Sequence, residues 1–212
     1  MDELKKHYSL LMNKTSDSFR KKRMVRFIDL LRVNQKDKIL DVGGLPDFWH
    51  GVGLAENVTL LNRNESPESN SIKTIKGDAR NMNMYSNKSI DIVFSNSVIE
   101  HVGNFSDQKL MAKEIQRIGK KYWVQTPNKH FPIELHFCFP FLQYLPRIFQ
   151  DIIVQYWPFS FPKKWGLDPI KELNHLRLIT YSEMKILFPN SIIIKERFMG
   201  FTKSLIAYNN SN

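Results

Sequence analysis

Apolar positions along the chain change their period at two points. From residue 37 to 128, short apolar runs that end in Gly, Asp or Asn alternate with segments of helical period, the pattern of a parallel sheet covered on both faces. Lys38–Val42 predicts a short buried strand ending in Gly43 and Gly44. Asn57–Leu61 predicts a second strand, Ile72–Ile75 a third that is closed by Gly77 and Asp78, and Ser89–Ser95 a fourth. A helix is expected over Asp107–Ile118, capped by Ser106 or Asp107 and stopped at Gly119, followed by a fifth strand at Tyr122–Gln125 that ends in Thr126, Pro127 and Asn128.

The alternation stops there. Residues 129–178 are rich in Phe, Tyr, Trp and Pro, and a structureless loop of that length is improbable in a compact domain, so the stretch reads as an inserted helical subdomain or lid. Regularity returns where Thr180 and Glu183 have the spacing of a capping box for a helix reaching Phe188. Ser191–Phe198 and Thr202–Tyr208, joined by a turn at Gly200, read as an antiparallel hairpin at the sheet edge. Ahead of the sheet, Leu4–Val33 has helical period: Phe19, Phe27, Leu30 and Leu31 share an apolar face, while Arg20, Lys21, Lys22, Arg23 and Arg26 are expected in water. The organisation expected is a basic helical segment over 1–36 and an α/β domain over 37–212 with 129–178 as its insertion.

Composition narrows the class. Of 212 residues 42% are hydrophobic, too many for a disordered chain, and the single Cys excludes a disulfide scaffold. Cys138, set among aromatics, reads as a buried thiol in a reducing compartment. Met1–Lys6 is charged and no apolar core follows, so no secretory signal is expected; Pro140 and Pro146 interrupt the best apolar stretch, so no span is expected either. A cytoplasmic protein follows, with peripheral contact at a membrane left open. Lys and Arg number 31 against 21 Asp and Glu, a net charge of +10 that favours an anionic partner: nucleic acid, phospholipid or a phosphate-bearing small molecule.

In an open parallel sheet ligands bind beyond the carboxyl ends of the strands. After the first strand stand Asp41, Val42, Gly43 and Gly44. Glycines there allow close backbone approach, but Leu45 breaks the G-x-G-x-x-G pattern of dinucleotide enzymes, and the carboxylate of Asp41 would repel a pyrophosphate. It would welcome a cation, and S-adenosylmethionine carries a sulfonium and an ammonium. Asp78 after the third strand is placed to accept from an adenine amino group, and Ser95-Asn96-Ser97-Val98-Ile99-Glu100-His101 follows the fourth.

With ILDVGG at Ile39–Gly44, NVTLLN at Asn57–Asn62, KGDAR at Lys76–Arg80, SIDIVFSNSVIEHVG at Ser89–Gly103 and KYWVQTPN at Lys121–Asn128, the chain resembles the class I S-adenosylmethionine-dependent methyltransferases of the broad type 11 group over most of residues 37–208. The resemblance implies a Rossmann-like sheet of seven strands with the last inserted antiparallel. It implies S-adenosyl-L-methionine as cofactor and S-adenosyl-L-homocysteine as product. Carried over by position, Asp41, Gly43 and Gly44 would border the methionine part, Asp78 and Ala79 the adenine, and Ser95 and Asn96 the methionyl side or the floor of the acceptor pocket. The acid that in this family ends the second strand and holds the ribose is Asn62 here, an uncharged partner, with Arg63 and Asn64 sharing the contact.

Methyl transfer to oxygen needs a base, and two histidines are candidates: His101, following Glu100, and His136 in Phe131-Pro132-Ile133-Glu134-Leu135-His136, with Glu134 nearby. The competing expectation for each is a structural histidine tied to a backbone carbonyl. His130 and His136 have no Cys or regular carboxylate spacing around them, and His7, His50 and His175 are scattered, so no metal is expected. The acceptor expected is a small molecule, a glycan or a lipid-linked intermediate. An RNA or DNA acceptor is the second candidate, although an Asn-Pro-Pro-Tyr type of motif is absent after the fourth strand, and a non-catalytic methyltransferase-like binding subunit is the third. Oligomeric state is not readable from the sequence.

Overall fold

The structure is a computed structural model of the chain and describes residues 18–50, 53–63 and 72–210. The expected helical residues 4–17 and the expected ribose partner Asn64 lie outside the described residues, and of His50 only the backbone is described. The chain separates into two compact units. The larger holds the described residues of 34–131 and 175–210, the smaller those of 18–33 and 132–174.

The larger unit is built on a seven-stranded sheet. In chain order its first strands are β1 (Ile39–Val42), β2 (Val58–Asn62), β3 (Lys73–Lys76), β4 (Ile90–Asn96) and β5 (Gly119–Pro127). After the two-stranded hairpin of the smaller unit, β6 (Ile133–Glu134) and β7 (Phe139–Pro140), the sheet is completed by β8 (Ile192–Phe198) and β9 (Phe201–Asn209). The order is β3-β2-β1-β4-β5-β9-β8. β1 to β5 pair in parallel and β9 runs antiparallel to both of its neighbours. This is the Rossmann-like arrangement that the motif series implied, and the strand order reverses between β1 and β4, which is where such sheets bind ligands.

The central strands form because their residues are buried in succession: every residue of β1 is buried, as are most of β2 and β4. Helix α2 (Asp47–His50) follows the glycine turn, and α3 (Phe105–Ile118) covers the sheet with Met111, Ala112, Ile115 and Ile118. The cap of α3 differs from expectation. Asn104, and neither Ser106 nor Asp107, is the N-cap: its side chain accepts from both of their backbone N–H groups, and Asp107 reaches back to Asn104 N at 3.0 Å. Asp107 therefore closes the capping box as its third helical residue. The box expected at Thr180 and Glu183 is present and starts α7 (Tyr181–Leu187), whose Met184 and Leu187 join the same core.

The smaller unit contains a helix over residues 18–31, α1, together with α4 (Arg147–Tyr156), α5 (Phe161–Lys164) and most of α6 (Pro169–His175). On α1 Met24, Phe27 and Leu31 are buried, while Arg20, Lys21, Lys22 and Arg26 are exposed. Arg23 departs from the expectation that it lies in water: it is buried, because it precedes Phe27 by four residues and so shares the inward face. Among the described residues no helix is long and apolar enough to cross a membrane.

Candidate functional site

Asp41 sits near the carboxyl end of β1, buried between its parallel neighbours β2 and β4. Its Oδ2 accepts a 2.7 Å hydrogen bond from Nε1–H of Trp49 on α2, while Oδ1 is buried with no hydrogen-bond partner among the described residues. Burial pushes the carboxyl up from the ordinary carboxylate range to about 7, and the Trp49 bond opposes only part of that rise. A buried carboxyl oxygen that lacks a donor is costly, and a cationic or N–H-bearing ligand group would satisfy it. Trp49 is packed edge-on against Phe48 and Phe94. Nothing in the hydrophobic pattern singled Trp49 out; its position a few residues after the glycine turn is the only signal it carries.

The glycine turn is shaped by its surroundings. Gly43 has φ of +80°, and a Cβ there would stand 2.5 Å from Val98 Cγ2. A Cβ on Gly44 would fall 1.8 Å from Asp41 Oδ2, so the carboxylate occupies the space that any larger residue would need. Gly43 N donates to Leu61 O at 2.9 Å, and Nδ2 of Asn62 donates to Gly44 O at 3.0 Å. Asn62 thus clamps the loop from the end of β2. In turn its own carbonyl accepts from Gly77 N at 2.9 Å, which ties the segment after β3 to the same cluster.

That segment holds the largest departure from a ligand-ready geometry. Asp78 accepts at both oxygens from Arg80: Nε reaches Oδ1 at 3.0 Å, Nη2 reaches Oδ2 at 2.6 Å and the backbone N–H adds a third bond at 2.9 Å. Arg80 bridges onward to Asp107 at 2.8 Å. The bidentate guanidinium holds the Asp78 carboxyl down at about 2, so it is ionised but already partnered. Arg80, to which the KGDAR motif assigned no role, therefore already occupies both oxygens of Asp78. Ala79 beside it is buried.

At the end of β4 the hydroxyl of buried Ser95 donates to Val42 O at 3.2 Å, which links β4 to β1 behind the turn. Asn96 is partly buried and ends the strand. Ser97 has φ of +57° and donates to Gln125 Oε1 at 2.9 Å, and this bend turns the chain into the short 3-10 segment Ile99–His101. Glu100 is fully buried and accepts from Thr126 Oγ1 at 3.0 Å. The segment is held in place by Gln108, which donates to Ile99 O, and by Arg177, whose backbone N–H donates to Glu100 O. His101 is partly buried at its end.

His136 belongs to the smaller unit, so the two histidine candidates stand on different units. Its Nδ1 lies 2.7 Å from Oε1 of Glu134, a carboxylate only 2% exposed, whose Oε2 accepts from Phe137 N at 2.8 Å. In the tautomer that carries its proton on Nδ1 the ring donates to Glu134 Oε1, and Nε2 is then the nitrogen with the lone pair. The sequence placed these residues two apart on the β6 to β7 hairpin, and the structure joins them. Cys138 at the same hairpin is buried, and its thiol is pushed up to about 12 by burial and by Glu134, which leaves it unsuited to nucleophilic chemistry.

Residues that could hold S-adenosylmethionine by its methionine end fit on one count, the buried oxygen of Asp41 that has no hydrogen-bond partner among the described residues. Residues 49–122 match the family described as a methyltransferase domain. No curated protein sequence matches the chain significantly. Among solved structures, the chain is similar to a SAM-dependent methyltransferase from Archaeoglobus fulgidus (TM-score 0.57, 14% identity, covering 95% of this chain and 99% of that one). It is likewise similar to a protein from Pyrococcus horikoshii OT3 (TM-score 0.54, 18% identity, 90% and 89% covered). A third likeness is to a SAM-dependent methyltransferase from Methanosarcina mazei (TM-score 0.50, 14% identity, 86% and 94% covered). At these identities the likeness is one of fold.

Proposed function

We propose that the chain acts as a class I methyltransferase, the reading supported by its family match over residues 49–122 and by its fold, and that it takes a methyl group from S-adenosylmethionine and places it on a hydroxyl oxygen. The acceptor is a small molecule, a glycan or a lipid-linked intermediate. The observation that carries the choice of oxygen is the Glu134–His136 pair at 2.7 Å. Acceptors that arrive without a proton need no base, whereas a hydroxyl does, and a buried carboxylate behind an imidazole is how a protein keeps one ready.

The cofactor supplies a methyl carbon already activated by its sulfonium, so the task left to the protein is to hold and align. In this reading the ionised Asp41 takes the cationic end. Gly43 and Gly44 let the backbone come close, and Asn62 offers its amide to the ribose from its station on Gly44. Asp78 and Ala79 border the adenine, with Asp78 sharing its carboxylate between Arg80 and the base. Ser95 and Asn96 close the floor. His136 accepts the hydroxyl proton at Nε2 while Glu134 keeps Nδ1 oriented, and His101 is the competing base.

Incubation with labelled S-adenosylmethionine and fractionated extract from the source organism, followed by identification of the labelled product, tests the reaction. A product methylated on nitrogen or carbon would overturn the oxygen assignment. A second reading, a methyltransferase-like binding subunit, draws on the occupied carboxylate of Asp78. Calorimetric titration with S-adenosylhomocysteine separates the two, because tight binding removes the basis for that reading.

A further inference from the structure

In a water-soluble domain an amphipathic helix turns its apolar stripe inward. Helix α4 does the reverse. Its buried residue is Val154, whereas Ile148, Phe149, Ile152 and Tyr156 are all more than half exposed. At roughly 100° per residue these four positions form one continuous stripe about 100° wide, and Arg147, Asp151 and Gln155 lie to one side of it. The exposure does not end with the helix. Phe141 and Tyr144 precede it and Trp165 and Leu167 follow it, all exposed.

Cations accompany these residues. Lys163 and Lys164 end α5 directly before Trp165, and Lys163 donates to Gln155 O beside the stripe. Over the described residues of the smaller unit ten Lys and Arg stand against five Asp and Glu, and Arg20, Lys21, Lys22 and Arg26 of α1 are exposed. Exposed aromatics with polar tips, aliphatic side chains and a cationic surplus are what a helix needs to lie in the headgroup region of an anionic bilayer. The ten residues of α4 rise about 15 Å, half of what a span requires, which suits a helix lying in the plane of the surface.

We propose that the exposed face of α4, with Tyr144, Trp165 and the Lys163–Lys164 pair, docks the protein on an anionic phospholipid surface. The inference stands apart from the methyl-transfer reading, since neither donor nor acceptor enters it. Phosphatidylglycerol headgroups would meet the lysines, and the apolar stripe would enter the acyl boundary.

Co-sedimentation of the full chain with vesicles of phosphatidylcholine alone, and of equal parts phosphatidylcholine and phosphatidylglycerol, tests it. The protein is expected to bind the mixed vesicles and to bind the neutral ones about tenfold more weakly or less. Ile152→Glu combined with Phe149→Ser is expected to lower binding to mixed vesicles by about tenfold or more with an unchanged thermal melt, because both side chains are exposed. Should that variant fail to fold, Lys163→Glu with Lys164→Glu carries the same test through the charge and is expected to abolish the preference for phosphatidylglycerol. Failure to bind mixed vesicles would overturn the proposal, as would binding that neither pair of substitutions changes. It would also fall if light scattering showed a dimer that Ile152→Glu dissociates, for the occupant of the stripe would then be a second copy of the chain.

Discussion

The indole of Trp49 and the carboxyl of Asp41 form a buried pair, Nε1–H donating at 2.7 Å to Oδ2, between a four-residue helix and the central strand of the sheet. The bond fixes one carboxyl oxygen and leaves the other buried without a hydrogen-bond partner among the described residues. Trp49→Phe keeps most of the packing against Phe48 and Phe94 but removes the donor. It is expected to destabilise the protein by about 1–3 kcal/mol, measured by urea unfolding at neutral pH. Unchanged stability would show that the bond contributes nothing net.

The pH dependence of donor binding follows from the same carboxyl. With a value of about 7 it is largely protonated at pH 6 and largely ionised at pH 8. A cationic ligand requires the ionised form, so affinity for S-adenosylhomocysteine, through its ammonium, should rise about tenfold from pH 6 to pH 8 and then level off. Calorimetry at the two pH values measures this, and Asp41→Asn should both weaken binding and flatten the dependence. For the unliganded protein the sign is opposite. A carboxyl raised above its unfolded value of 3.8 contributes stability that is complete below that value and is lost as pH climbs toward 7, so the unliganded melting temperature of Asp41→Asn should fall less over that window.

Gly44→Ala would place a methyl group 1.8 Å from Asp41 Oδ2. The carboxylate must then swing away, breaking its bond to Trp49, or the turn must shift. Donor affinity is expected to drop by more than about tenfold, the loss of one charge-assisted contact, and a thermal shift with S-adenosylhomocysteine should disappear. A normal shift would show that the turn can yield without touching the ligand.

Arg80 ties Asp78 to the first turn of α3 through Asp107, and Arg80→Met cuts both links. Because these groups are partly exposed, the loss at neutral pH should be only about 1 kcal/mol. The guanidinium holds Asp78 down at about 2, so this stability is present above the ordinary carboxylate range and vanishes as pH falls through it; the variant should show a shallower loss between about pH 4 and 2. Affinity for S-adenosylhomocysteine should hold or increase, since Asp78 is released. A fall would place Arg80 itself against the ligand.

His136→Ala should leave donor binding intact and cut turnover by about 10²–10⁴-fold, with Glu134→Gln giving a smaller loss because the amide can still orient the ring. His101→Ala is the control on the competing base. If turnover follows His101 and ignores His136, the Glu134–His136 pair is structural.

β1, β2 and β4 were legible because most of their residues are buried, and β3, although partly exposed, because Gly77 and Asp78 close it, so all four were expected to within a residue or so of where they lie. β5 was expected shorter than it is. Thr126 and Pro127 read as a strand end, yet both pair with β9, and pairing with a strand that arrives some eighty residues later leaves no local mark. The cap of α3 was misplaced by two or three residues since Asn104, Ser106 and Asp107 are all capping types and only geometry ranks them. Asp41 and Asp78 were singled out as donor-site candidates, but the partners that define their state, Trp49 for the first and Arg80 for the second, were invisible. An indole and a guanidinium are ordinary in sequence and acquire meaning only from the carboxylate the fold brings to them.

The ends of the inserted stretch are fastened within the larger unit. Lys129 N donates to Ile179 O at 3.0 Å, and Asn128 bonds through its N–H to Lys203 O and through its side chain to Thr202 O. The chain therefore leaves and re-enters the sheet domain through a stapled doorway, and the length of what hangs from it changes the closure entropy only slowly. Residues 132–174 are thus inserted at one point of the larger unit, and the smaller unit they share with α1 can change in length at little cost to the closure of that doorway.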